Sequence, residues 1–206
     1  MQIRYEIPLT GKEYVSQQAW RDASLPFCPF HPQGGCGFAR HGTYPRESPP
    51  GCRVPRWYCP TAGRTFSLLP DCLPAHLPGT FEEMEQVVVA VEQAPSHVAA
   101  ADSLRPDIEL PGALRWLDRR VKAFHRLLHR LKGLVPERLA GVPPTVAGFR
   151  QVLAVDGLWP VLRAIAASFL HSLPPPLGFG PRLGAGGGAA KPFQQSMGPD
   201  PPFPLA

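Results

Sequence analysis

The feature that most constrains this chain is the crowding of its cysteines. Cys28, Cys36, Cys52, Cys59 and Cys72 are the five cysteines of 206 residues, and all fall within one 45-residue stretch. That stretch is also dense in Pro and Gly, and a module of about fifty such residues rarely holds together without a metal or disulfide staple. An odd count fits a closed disulfide set poorly. The opening residues MQIRYEIPLTGKEY contain no apolar core of a secretory signal. The apolar run from Leu158 to Leu170 is broken by Pro160 and Arg163 and is too short to span a bilayer. We therefore expect no membrane association and a cytoplasmic location, where clustered thiols read as metal ligands before they read as disulfides.

Zn²⁺ takes four tetrahedral ligands from thiolate sulfur and imidazole nitrogen, and small ribbons supply them from two short knuckles. Cys28-Pro-Phe-His31 is one such knuckle. Cys59-Pro-Thr-Ala62 has the form of the second, but Ala62 offers no ligand. Cys36 follows Gly34-Gly35, which lets the backbone turn back towards the metal, so Cys28, His31, Cys36 and Cys59 form the expected site. His41 is the rival for the fourth position. A metal-free module in which the thiols are small buried side chains, and a disulfide, are the other readings.

The spacing and composition divide the chain into four zones and predict an α+β fold. Residues 1–26 read as a lead-in segment. Residues 27–80 read as a small Cys/His β module, with a strand over 53–58 running into Cys59, a turn over 60–63 and a partner strand over 65–69. Pro55 places the first of these strands at an edge or a bulge. Residues 81–172 read as helical. Thr80 and Glu83 form a capping box for a helix over 81–93, and Ser96 caps a second over 97–104. A third helix over about 112–132 carries Leu114, Leu117, Val121, Phe124, Leu127, Leu128 and Leu131 at helical spacing, with Gly133 as its stop. Thr145 caps a fourth, which Pro160 splits near Trp159. Residues 173–206, with nine Pro and a GAGGGAA run, read as a disordered tail.

The order CPFH, a further Cys, HGTYPR and RVPRWYCPTAGRTFSLLP resembles the zinc-ribbon-like segment at the start of many bacterial insertion-sequence proteins. In that family a C-P-x-C knuckle precedes an HG-x-Y-x-R motif, a strand ends in R-x-x-C-x-x-C, and T-F-S-x-L-P closes the module. Cys28 and His31, then His41 to Arg46, then Arg56 and Cys59, then Thr65 to Pro70 occupy those positions. His31 stands where the family has Cys, and Ala62 stands where it has its fourth Cys. The likeness covers about residues 27–75 and implies a transposase-associated origin.

Charge points the same way. Net charge is +5, and it is unevenly spread. Residues 81–104 hold five acids and no Lys or Arg, whereas residues 105–138 hold nine basic residues against four acids. A short helix, a connector and then a longer helix bearing Arg115, Arg119, Arg120, Lys122, Arg126 and Arg130 has the order of a helix-turn-helix, whose second helix enters the major groove of double-stranded DNA. Those side chains suit phosphates and guanine edges, and Trp116 beside Arg115 resembles the R-W pair of transposase helix-turn-helix segments. The competing assignment is a solvated face of an ordinary bundle helix, in a protein–protein adaptor with no nucleic-acid role.

Catalysis by this chain is not expected. Asp102, Asp107, Glu109, Asp118, Glu137 and Asp156 are not set among the alternating strands that a three-carboxylate nuclease fold requires. Cys28 with His41 has the residue types of a nucleophile–base pair, but both belong to the zinc-ribbon-like pattern. GAGGGAA lacks the Lys-Ser/Thr of a phosphate loop.

Overall fold

The computed structural model describes residues 1–180. The expected tail therefore falls largely outside the described residues, from 181 onward. Its first part, 173–180, is not a tail: Leu173 and Leu177 are buried in the helical core. The run Pro174-Pro175-Pro176 masks these two leucines in any compositional reading.

A four-stranded sheet forms the first layer. β1 (Gln2–Tyr5), β2 (Ala39–Pro45), β3 (Arg53–Cys59) and β4 (Arg64–Pro70) lie in the order β1-β4-β3-β2. β3 and β4 make the expected hairpin, with Trp57 opposite Phe66 and Cys59 opposite Arg64. Its turn closes through Gly63 N–H donating to Pro60 O, with Gly63 at φ +58°, a conformation that costs glycine least. β3 is internal rather than an edge. Pro55 is tolerated because it faces Thr43, where the β2 register shifts between Arg40 and Thr43; a bulge does not need the missing N–H.

Residues 1–26 are part of the fold and not a lead-in. β1 runs parallel to β4, pairing Gln2 with Ser67 and Tyr5 with Pro70. α1 (Gly11–Ser16) follows, and Thr10 with Glu13 forms its capping box. Tyr14 and Trp20 fill a small core with Cys52, Val54, Leu69, Cys72 and Leu73.

The second layer is helical: α2 (Phe81–Gln93), α3 (His97–Leu104), α4 (Leu110–Leu134), α5 (Pro136–Leu139), α6 (Val146–Leu153) and α7 (Leu158–Ile165), then a 3₁₀ turn over Ala167–Phe169. Thr80 and Ser96 cap α2 and α3 as their sequences predict. α4 is the central member and buries Ala113, Leu117, Val121, Phe124, Leu127, Leu128 and Leu131. It runs through Gly133 and stops before Pro136, since the residue before proline is pushed out of the helical region. α6 and α7 are separated at Ala154, in the left-handed conformation at φ 54°, and not at Pro160. Pro160 sits in the first turn of α7, where no N–H is needed.

Two carboxylates of α2 anchor these last helices. Glu85 accepts from Leu158 N–H at 3.1 Å, and Glu92 accepts from Val146 N–H at 3.0 Å. Each neutralises the positive end of a helix. The layers are joined by Asp71, which sits between Arg4 (2.7 Å) and Arg163 (3.7 Å). No helix among the described residues is long and apolar enough to cross a membrane.

Candidate metal centre and basic face

The sequence brings four ligand atoms together around the first knuckle. The Cys28 and Cys59 sulfurs and the Cys36 sulfur lie with a His31 ring nitrogen in a cluster whose members are all within 4.8 Å of one another. His31 Nδ1 is 3.6 Å from Cys28 Sγ and 3.4 Å from Cys59 Sγ. Zinc–sulfur and zinc–nitrogen bonds of about 2.3 and 2.0–2.1 Å, at tetrahedral angles, set a sulfur–nitrogen edge of about 3.6 Å. The observed separations match that edge. All three cysteines are buried, His31 is half-buried, and every cysteine of the chain is a free thiol.

Local structure explains how each ligand arrives. His31 N–H donates to Cys28 O, which folds the knuckle. Gly34, Gly35 and Gly37 have φ of +84°, +76° and +65°. Gly34 and Gly35 swing the chain back so that Cys36 joins Cys59 in the cluster, and Gly37 turns it on towards β2. The Cys59–Ala62 turn is shaped like a knuckle, with no ligand at Ala62. Ala62 N–H still donates to Cys59 Sγ at 3.4 Å, and Thr61 Oγ1 donates to Cys36 O at 3.3 Å. Thr61 thus helps position Cys36, which the sequence alone does not reveal.

The thiols differ electrostatically. Burial raises Cys28, but its side-chain contact with His31 and the N–H groups of Phe30 and His31 outweigh that effect and bring it down to about 7. Burial raises Cys59 despite the Ala62 N–H. A polarised thiol beside an imidazole is a good first ligand for a borderline-soft cation. Cys52 and Cys72 lie in the other sheet core, where burial pushes them up to about 11 and about 12. They are inert fillers there.

His41 is not in the cluster. It is exposed on β2, with its ring 5.6 Å from that of Tyr58. The rest of the HGTYPR stretch is structural. Arg46 donates to Pro74 O and Leu77 O, and Arg56 lies over the Tyr44 ring.

On α4, Arg115, Arg119, Lys122, Arg126 and Arg130 are exposed. Lys122 pairs with Asp118 at 2.6 Å, and Lys122 with His97 holds the Asp118 carboxyl below its ordinary value. Arg120 differs from the others: it is half-buried, with its guanidinium 4.1 Å from the Trp116 ring centroid. The expected short helix, connector and long helix are present, with the connector spanning residues 105–109.

No family model, curated protein or solved structure matches this chain.

Proposed function

We propose that this chain is a Zn²⁺-stabilised protein that binds double-stranded DNA without catalysis of its own, derived from the insertion-sequence transposase context that its module order resembles. For the metal, the four-atom cluster of Cys28, His31, Cys36 and Cys59 carries the reading. The donor set suits zinc: three thiolates and one imidazole fill four positions and leave none open, which is the pattern of a structural site. Bound there, Zn²⁺ supplies a crosslink between the loop at 28–36 and the β3–β4 turn.

For DNA, the carrying observation is the outward row of α4. Five exposed cations stand on it, with Asp118 the single acid of the helix. Such a row tracks phosphates, while the opposite face of α4 packs the core. The experiment is binding to mixed-sequence duplex DNA across a salt series. A log–log slope of several units, flattened when Arg115 and Arg119 are replaced by Ala, is expected. No binding at low salt refutes the DNA reading and leaves the adaptor assignment in its place.

A further inference from the structure

We infer that Arg105, Trp116 and Arg120 form a clamp for a single phosphate group; in its DNA-binding form this rests on the duplex-DNA reading above. Both guanidiniums lie over the same indole, with Cζ 5.0 Å (Arg105) and 4.1 Å (Arg120) from the ring centroid. They are therefore no more than about 9 Å apart. Among the described residues neither is in an ion pair. Glu83 is the carboxylate whose charge reaches Arg120, but its Oε2 is engaged by Thr80 N–H at 2.8 Å in the helix cap. Glu47 and Glu83 share a cavity wall with Trp116 and Arg120, and neither pairs with an arginine.

The arrangement is held in place before any ligand arrives. Trp116 is packed against the helical core. Arg105 comes from another element: it ends α3, where its N–H donates to Ala101 O at 2.9 Å and its carbonyl accepts from Ile108 N–H at 3.2 Å. The cation–π contacts offset part of the repulsion. A planar guanidinium donates two parallel N–H bonds to one oxyanion. Two of them on one rigid platform complement the several oxygens of a phosphate group better than a carboxylate. Exposed Arg119 adds its charge beside them. Burial, then the charges of Arg119 and Arg105, hold Arg120 below its ordinary value against the opposing charge of Glu83.

The source of the phosphate group is a DNA backbone or a free polyphosphate, and the test separates them. The full chain, Arg105→Gln, Trp116→Phe and the exposed control Lys12→Gln are compared for duplex DNA binding across salt. Tripolyphosphate is titrated in parallel, following the fraction of the four-tryptophan fluorescence that is absent in Trp116→Phe. The DNA clamp predicts that Arg105→Gln lowers the salt slope by about 0.9 and weakens binding roughly tenfold, while Lys12→Gln changes neither. If the wild type binds DNA and Arg105→Gln keeps its slope, the clamp is overturned and the DNA reading stands. If the wild type ignores DNA but shows a saturable tripolyphosphate response that Arg105→Gln loses, the DNA reading fails and the phosphate site stands. Silence with both probes overturns the proposal.

Discussion

Replacing Arg163 by Met probes the joint that holds the helical layer on the sheet. Arg163 has no exposed surface. Its Nη1 donates to Pro70 O at 2.8 Å and its Nη2 to Leu177 O at 3.2 Å. Phe81 and Phe179 flank its Cζ at 4.6 and 5.7 Å. Burial lowers its pKa to about 10, so it remains charged at neutral pH. A hydrogen bond from a charged donor contributes about 1.5–3 kcal/mol, so losing two costs about 3–6 kcal/mol. Methionine recovers part of this, because no cation is then buried and the Nε, which already lacks an acceptor, is removed. Asp71 keeps its two-oxygen contact with Arg4 at 2.9 and 2.7 Å. The net loss is about 3 kcal/mol. At about 2–4 °C per kcal/mol for a chain of this size, the melting midpoint falls by about 6–12 °C. Calorimetry reads the midpoint, and metal analysis of the same sample reads zinc. Zinc per chain is expected to be unchanged, since the ligand cluster sits in its own small core with Trp57, Phe66 and Leu68. A midpoint within about 2 °C of wild type refutes the joint, as does a loss of zinc with the midpoint unmoved.

Further outcomes test the ligand set and the anchoring carboxylates. Cys36→Ala is expected to abolish tight zinc retention, and adding Ala62→Cys to it to restore retention, because position 62 already lies at Cys59 through its N–H; an empty but folded double variant contradicts this. Glu85 titrates above its ordinary value because it is buried, against the opposing pull of Leu158 N–H and Arg150. A carboxyl raised in the folded state contributes stability that is fully present below its unfolded pKa of about 4.3 and is lost as pH rises through the folded value. Glu85→Gln should therefore cost more stability near pH 4 than near pH 7, measured by denaturant melts at both; the opposite order overturns the assignment.

Much of the site was legible because its signals are local. The Cys28–His31 knuckle, the Gly34-Gly35 reversal and Cys59 at the end of a strand lie within the reach of short-range geometry. The helix starts at Thr80 and Ser96 were equally plain, since capping is written in four residues. What escaped is long-range or small. β1 pairs in parallel with a strand more than sixty residues away and lacks an alternating pattern. α1 is only six residues long, although Thr10 and Glu13 carried its capping box in plain view. Arg105 belongs to no periodic face, so no helical pattern joins it to Trp116. Arg120 follows Arg119 directly and so lies off the three- or four-residue row of the other cations, where its guanidinium lies over the Trp116 indole one turn away. Residues 173–180 were hidden by their proline content, which says nothing about what a single leucine does when a buried carbonyl such as Leu177 O meets Arg163.

The measurement closest to the central claim is metal content per chain. The full protein, purified without chelator, is analysed by inductively coupled plasma mass spectrometry beside Cys36→Ala and His41→Ala. One zinc per chain is expected in the wild type and in His41→Ala, and almost none in Cys36→Ala. A wild type that is folded and free of metal contradicts it, and equal loss in both variants contradicts the choice of Cys36 over His41.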